Sequence, residues 1–391
     1  MAHFHSDNFK TFLRASTAAA ALVWGGYTAG FAATLDITGI DAASDLYETV
    51  SGGSLLREET AEDADPTTQE LLAAAQADYA RLLAVLYDKG YFAAVIKITL
   101  DGVDASAIAP VTPPKQINRA VIDIETGRKF SFSKAEIAPV APETELPEQF
   151  AAGETASLGV MKEAVAAGIE GWRDQGHAKA ELAEQQLTAR VPDATLAATL
   201  RLRPGPRLRF GELAVKGQSD VTLRRIKKIA GLPTGEVYSQ EQLDLAATRL
   251  RRTGAFSSVA MIEADQITAP DVLPITVQVT DAPKRRFGFG TELSSLDGLS
   301  VSSYWLHRNL LGGAERLRVE GEVSGIGGDS GGTDYRLGTR FERPATFNAD
   351  TNFYALAEIE QLDEVNYFSR QLDLEAGVER IASEERTYSL G

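Results

Sequence analysis

The chain has 391 residues, of which 44% are hydrophobic, and this is enough for two or more domains with buried cores. Its formal net charge is −16, which argues against a nucleic-acid partner because phosphate binding needs a basic surface. The chain has no cysteine, so disulfide bonds and thiolate metal sites are excluded.

The first residues are typical of a secretory signal. Lys10 and Arg14 give a positive start, residues 15–33 carry no charge, and small residues precede a cleavage position after Ala32. A membrane-spanning helix is the alternative, but alanine and glycine make this stretch only weakly apolar. We therefore predict a cleaved signal peptide over residues 1–32.

Residues 34–127 are predicted to form a first small α+β module. A helix begins at Thr67, which forms a capping box with Glu70, and Pro66 lies beside it in the first turn. The helical pattern of apolar residues continues to Gly90, where the helix ends. The predicted strands of this module are Leu35–Gly39, Ala94–Leu100 and Ala120–Ile124.

A second module is predicted over residues 128–206. Apolar residues from Leu158 to Trp172 recur at helical spacing, which predicts a helix with one buried face and Trp172 in the core. The helix ends before Gly176, and the run Pro204–Pro206 closes the module. Its predicted strands are Leu182–Arg190 and Thr195–Leu202.

Residues 207–282 give the clearest module. Ser239 and Gln242 fit a capping box, and the apolar stripe that follows ends at Gly254, where a left-handed cap is expected. The charged run Arg224–Lys228 is interpreted as a solvated helix face. The other predicted elements are a strand over Leu208–Val215, a helix over Ser219–Gly231, and strands over Ala255–Val259 and Ile275–Val279.

The three modules share one kind of joint, in which a glycine ends a helix and an aromatic residue or histidine leads into a strand. The glycines are 86 and 78 residues apart, which indicates tandem repeats. The joint residues are Gly90 and Tyr91, Gly176 and His177, and Gly254 and Phe256. With this joint and the element order of the third module, the repeats resemble POTRA domains.

The pattern changes after Pro283, where helical spacing gives way to alternation. Strands of about ten residues carry charges on one face and apolar groups on the other, as a transmembrane β-barrel requires. A soluble β-sandwich would show similar alternation, so the pattern alone leaves both open. The clearest strands are Arg286–Ser294, Arg316–Val323, Tyr335–Glu342 and Gln371–Glu379.

The run Tyr304–Gly312 is similar to the strand and turn near the barrel start of BamA and TamA relatives, with Tyr304 and Trp305 as interface aromatics. This resemblance favours the barrel. It implies three tandem α+β POTRA modules followed by the N-terminal part of an antiparallel transmembrane β-barrel over residues 283–391. Six strands and the start of a seventh are expected. Because barrels of that family have about sixteen strands, the chain is expected to be an incomplete copy.

The resemblance implies an outer-membrane protein with its modules in the periplasm. Three modules place it nearest the TamA branch, whose role is autotransporter assembly. Its expected partners are unfolded outer-membrane client proteins, an inner-membrane or periplasm-spanning protein, and outer-membrane lipid, with no nucleic acid. A client would pair with exposed strand edges. The first barrel strand, Phe287-Gly288-Phe289-Gly290, is the predicted lateral gate, since glycines ease strand opening; the alternative is that they permit curvature.

No motif predicts an enzyme, a metal site or a cofactor. Gly328–Gly332 reproduces the GDSGG of serine proteases, but His307 lacks the context of a catalytic base, so a loop is the better interpretation. Ser131 and Lys134 have an S-x-x-K spacing without its companion motifs. Two other functions stay open: a periplasmic protein-binding scaffold with a soluble β domain, and a two-partner secretion pore.

Overall fold

The computed structural model describes residues 33–61, 64–268, 270–328, 331–382 and 386–391. The predicted signal peptide lies outside the described residues. The described chain divides into two compact units, one of residues 33–87 with Ala93–Gly127 and one of Asp88–Phe92 with Arg128–Gly391. The exact module boundaries stay predictions.

The first unit packs three helices with a four-stranded sheet. The strands are β1 (Thr34–Thr38), β2 (Val95–Leu100), β3 (Val103–Asp104) and β4 (Arg119–Glu125), and the helices are α1 (Asp45–Gly52), α2 (Leu55–Glu59) and α3 (Thr68–Asp88). The strand order is β1-β4-β2-β3, with β1 parallel to β4. The capping box forms, because Thr67 N donates to Glu70 Oε2 at 2.7 Å and Glu70 N to Thr67 Oγ1 at 3.2 Å.

The sequence pattern predicts no helix between the strand that ends at Gly39 and the helix that begins at Thr67, where α1 and α2 lie. Asp78 on α3 is buried, and its carboxylate accepts from Ser54 Oγ at 2.6 Å, Leu55 N at 2.8 Å and Leu56 N at 3.1 Å. These bonds satisfy free N–H groups at the start of α2. The capping carboxylate comes from a distant part of the chain, so no local pattern reveals it.

The second unit contains two further copies of one topology. The second module comprises β5 (Ser131–Ala138), α4 (Leu158–Asp174), β6 (Glu181–Arg190) and β7 (Thr195–Arg203), in sheet order β5-β7-β6. The third comprises β8 (Arg209–Lys216), α5 (Leu223–Ala230), α6 (Gln240–Arg252), β9 (Phe256–Glu263) and β10 (Val272–Asp281), in order β8-β10-β9. In both modules, the strands that come first and last in the chain pair in parallel. The strand between them in the chain, β6 or β9, lies at the edge of the sheet and pairs antiparallel with the last strand.

The chain ends in a seven-stranded antiparallel sheet in which each strand pairs with the next along the chain. Its strands are β11 (Arg285–Ser294), β12 (Gly298–Arg308), β13 (Arg316–Ile326), β14 (Asp334–Arg343), β15 (Thr351–Glu364), β16 (Tyr367–Ile381) and β17 (Thr387–Leu390). The predicted fold class, α+β modules followed by the first strands of an antiparallel barrel, is confirmed.

Candidate functional site

The two faces of the seven-stranded sheet differ in chemistry, because alternate residues point to opposite sides of a strand. One face carries aligned apolar rows. One row crosses five strands through the register pairs of β12 to β16 and consists of Ser303, Gly321, Leu337, Ile359 and Leu372. Leu374 in the next row is 73% exposed, and Phe289 on β11 is 84% exposed. Apolar side chains left this open fit a lipid-facing surface.

The opposite face of the same sheet is lined by paired charges. Arg336 on β14 contacts Glu360 on β15 at 2.8 Å and Glu322 on β13 at 3.6 Å. Arg318 contacts Glu320 at 2.6 Å along β13. Ion pairs that cross strands neutralise charge within a hydrated interior, as the lumen side of a barrel requires.

Strand β11 holds the predicted gate residues and forms one edge of the sheet. It pairs with β12 over its whole length, from Arg285 opposite His307 to Ser294 opposite Gly298. Among the described residues no strand pairs with its other side. Phe287 and Phe289 project from the apolar face and are both exposed. Strand β11 is therefore an edge of the sheet that the described residues form.

Gly288 has a packing role that sequence patterns do not reveal. The ring of Tyr304, directly opposite on β12, occupies the space where a Cβ on residue 288 would be: that atom would lie 2.6 Å from Tyr304 Cζ and 2.9 Å from Cδ1. The guanidinium of Arg318 lies over the same ring, 4.4 Å from its centroid. Glycine here lets Tyr304 lie across β11, which holds β11 on β12.

Gly290 lies in a less crowded place. A Cβ there would meet only Ser302 Oγ, at 2.7 Å, and this hydroxyl can rotate away. The lateral-gate role of Phe287 to Gly290 stays a prediction, and the contacts distinguish its two glycines: Gly288 is required by the ring of Tyr304, and Gly290 is not.

The third module contacts the sheet through the turns Asn309–Glu315 and Pro344–Asp350, which join β12 to β13 and β14 to β15. Arg225 on α5 is buried and donates to Gly313 O and Ala345 O, each at 3.3 Å, and to Pro344 O. Burial, together with the nearby charge of Arg343, lowers the pKa of Arg225. The interpretation of Arg224–Lys228 as a solvated face is wrong for Arg225, because its partners lie about a hundred residues later, beyond any local pattern.

A second contact joins helix α6 to the turn between β14 and β15. Arg249 is buried and forms a bidentate ion pair with Asp350, in which Nε donates to Oδ1 at 2.8 Å and NH2 donates to Oδ2 at 2.5 Å. Arg252 lies 3.7 Å from the same carboxylate. The hydrogen bond from Arg249 lowers the pKa of Asp350, so the carboxylate stays charged.

The second and third modules meet at a cluster around Glu263, the last residue of β9. This carboxylate accepts from Arg173 at 2.5 Å, from Tyr238 Oη at 2.7 Å and from Lys179 at 3.2 Å. Burial raises the pKa of Glu263, but hydrogen bonds from Tyr238 and Arg173 outweigh it, and the pKa is lowered overall. Burial and the neighbouring carboxylate raise the pKa of Tyr238, which stays a neutral donor.

The predicted joint residues lie at three separate positions rather than in one site. All three glycines have positive φ: +93° at Gly90, +94° at Gly176 and +67° at Gly254. Phe130 N donates to Gly90 O at 2.8 Å and Leu208 N to Gly176 O at 2.9 Å. The first two joints therefore bind the start of the next repeat through the same backbone bond.

The residues that follow these glycines differ in burial. Phe256 is buried in the core of the third module, and Tyr91 is half-buried. His177 is half-buried and hydrogen-bonds through Nδ1 to Gly205 O at 2.8 Å. Trp172, expected in the core, is half-buried, because its indole N–H reaches Pro139 O at 2.9 Å at the module surface.

Within the described residues, no group of three or more histidine, aspartate or glutamate side chains is placed to hold a metal ion. Asp329 and Ser330 of the GDSGG run lie outside the described residues. Ser131 and Lys134 lie on β5, and Lys134 forms an ion pair with Glu136. No described helix combines the length and the apolar character needed to cross a membrane.

Comparison with models of known protein families gives no match, and comparison with curated proteins gives none either. Among solved structures, the chain is similar to BamA from Haemophilus ducreyi lacking POTRA domains 1–3, with a TM-score of 0.51 and 16% identity over 66% of this chain. The chain shares the BamA fold. It spans 49% of the length of that protein.

Two further solved structures show weaker similarity. POTRA domains 3–5 of Haemophilus influenzae BamA give a TM-score of 0.46 at 16% identity, covering 64% of this chain and 95% of that one. CdiB from Escherichia coli gives 0.36 at 14% identity, covering 66% of this chain and 48% of that one.

Proposed function

We propose that this chain belongs to an outer-membrane protein that assembles or secretes other proteins, in the TamA branch of the BamA/TamA family. One observation carries the proposal: directly after the third module, β11 begins an antiparallel sheet that has one exposed apolar face and one face of paired charges. An edge strand such as β11 can pair with a strand of another protein.

In the proposed mechanism an unfolded outer-membrane client first pairs with module edges and then with β11. The second module offers β6, a ten-residue edge strand exposed along nearly its whole length. Backbone groups that enter a membrane unpaired cost several kcal/mol each, so a client strand is stabilised by pairing with the outer side of β11. No catalytic step is involved, and the folding free energy of the client drives the process.

The exposed apolar face is the reason to prefer this function over a soluble periplasmic scaffold. In a soluble sandwich, a second sheet would cover the row that contains Leu337, Ile359 and Leu372. All three side chains are exposed, and within the described residues no second sheet packs on them. The proposal therefore places the sheet in the outer membrane and the modules in the periplasm, accessible to a periplasm-spanning or inner-membrane partner.

A reconstituted assembly assay tests the proposal. Vesicles carrying the protein are expected to accelerate the insertion of an unfolded outer-membrane β-barrel relative to vesicles without it. In a variant with Phe287→Cys and Trp305→Cys, which are directly opposite, oxidation locks β11 to β12. If the client uses the outer side of β11, the locked form retains the rate of the reduced form. No acceleration by the unmodified protein would refute the assembly role, whereas loss of rate on locking would show that β11 must detach.

A further inference from the structure

Helix α5 presents two different faces. One face packs into the core or onto the sheet turns and consists of Arg225, Ile226, Ile229 and Ala230. The other is exposed and consists of Leu223, Arg224, Lys227 and Lys228. The exposed face thus combines three cations with a leucine that is 61% exposed.

The adjoining turns of the sheet add apolar groups beside this face. Thr222, the N-cap residue of α5, donates from its N–H to Gly312 O at 3.0 Å; Leu223 and Leu311 are the sequence neighbours of this bonded pair. Lys228 donates to Thr346 O at 2.8 Å, next to Phe347. Leu311 and Phe347 are each 74% exposed. We call Leu223, Arg224, Lys227, Lys228, Leu311 and Phe347 the rim patch.

The rim patch adjoins the end of the apolar face that lies nearest the third module. Arg343 is the last residue of β14 and, by alternation, points to the same side as Leu337 and Phe341. It lies 3.9 Å from Glu315, and its charge acts on Arg225. The cations of α5 therefore lie where the lipid-facing surface ends and the module begins.

The charges of the patch are unusual for this chain. The protein carries a formal net charge of −16, yet the patch contains three cations and no acidic residue. Within the described part of the chain, neither Arg224 nor Lys227 forms an ion pair, and Lys228 binds only a backbone carbonyl. Cations beside exposed leucine and phenylalanine at a membrane margin are typical of interfacial lipid contact.

We propose that the rim patch binds anionic phospholipid headgroups of the membrane leaflet on the module side. The three cations contact the phosphates, and Leu311 and Phe347 enter the boundary between headgroups and acyl chains. This contact fixes the depth of the third module against the membrane. The inference rests on the membrane placement of the sheet in the proposed function and adds a lipid partner for α5.

Single cysteines test the placement cleanly, because the chain has none of its own. The full chain, with Phe347→Cys labelled by an environment-sensitive fluorophore, is reconstituted into phosphatidylcholine vesicles with phosphatidylglycerol. Headgroup-attached nitroxide lipids are expected to quench this probe. A Leu374→Cys probe on the apolar face, read with acyl-chain nitroxide lipids, reports insertion, and a Thr188→Cys probe on β6, read with both kinds of nitroxide lipid, reports solvent.

The outcomes separate the two proposals. Quenching at both Leu374 and Phe347, but not at Thr188, supports the rim patch. Quenching at Leu374 without quenching at Phe347 overturns the rim patch alone and leaves that surface open to a protein partner. No quenching at Leu374 overturns the membrane placement and the rim patch together.

A charge variant tests the lipid chemistry. The triple variant Arg224→Gln, Lys227→Gln, Lys228→Gln is compared with Lys97→Gln, Lys162→Gln, Arg190→Gln, which removes the same charge from exposed module positions. The readout is the association of spin-labelled phosphatidylglycerol relative to phosphatidylcholine. Since one cation near an anionic surface changes affinity by about fivefold, the rim variant is expected to lose at least about fivefold selectivity. Equal selectivity in the two triple variants would overturn the proposal.

Discussion

The substitution Gly288→Ala tests whether Tyr304 holds β11 on β12. A Cβ at position 288 would lie under 3 Å from three atoms of the Tyr304 ring, so the ring must move. Overpacking of this kind costs about 1–3 kcal/mol. Displacing the ring also disturbs the Arg318 contact, worth about 0.5–1 kcal/mol. Alanine recovers about 0.5–1 kcal/mol through lower backbone entropy in the unfolded chain.

The net cost is therefore about 1–3 kcal/mol, which corresponds to opening of the β11–β12 hairpin about 5- to 150-fold more often. Amide hydrogen exchange of this hairpin in the reconstituted protein measures it. The matched control is Gly290→Ala, whose Cβ meets one rotatable hydroxyl and is expected to leave exchange unchanged or slower.

The Tyr304→Ala background completes the test. If the ring is the cause, Gly288→Ala no longer speeds exchange once Tyr304 is alanine, and the entropy gain leaves exchange unchanged or slower. Equal exchange in the Gly288→Ala and Gly290→Ala proteins, or an undiminished effect of Gly288→Ala in the Tyr304→Ala background, would refute the packing role.

Three further outcomes are expected. Replacing Arg225 with lysine leaves one ammonium group for carbonyls in two turns and costs about 1–3 kcal/mol, seen as faster amide exchange in those turns; unchanged exchange would contradict the anchor role. The pKa values of Glu263 and Asp350 are lowered in the folded protein, so the stability these carboxylates contribute is full above their ordinary pKa values of 4.5 and 3.8 and is lost as the pH falls below them. Protease sensitivity at the contacts they form should therefore rise only in acid. Glu263→Gln should remove this pH dependence at the contact between the second and third modules. Changing Asp78 to alanine leaves buried donors at the start of α2 unpaired and costs about 2–3 kcal/mol. This loss is measured as a lower free energy of opening in amide hydrogen exchange of the first unit. An opening free energy equal to that of the unchanged protein would contradict the capping role.

The sequence predicted the features that depend on local periodicity. Glycines such as Gly176 end helices because the backbone there needs positive φ, and alternation in Arg316–Val323 reports two faces of one strand. These signals placed three modules and a sheet with one charged and one apolar face.

Features that depend on distant contacts were not accessible from sequence patterns. The carboxylate of Asp78 accepts hydrogen bonds at the start of α2 from a separate helix, and Arg225 is buried beneath two later turns. The function of Gly288 depends on the ring of Tyr304 across the hairpin. In each case the two partners are far apart in the sequence or on different strands, so tertiary structure decides that they meet.

The most direct test of the central claim is disulfide crosslinking between β11 and a client strand. A single cysteine at Phe289 on β11 is combined with a cysteine scanned along the terminal strand of an unfolded outer-membrane β-barrel. Strand pairing in one fixed register predicts crosslinking at one client position, the residue directly opposite position 289, and little at the neighbouring positions. Cysteine at Leu337, on the same face but in a strand paired on both sides, should give none. Crosslinks without a preferred register, or equal yields at both positions, would contradict the account.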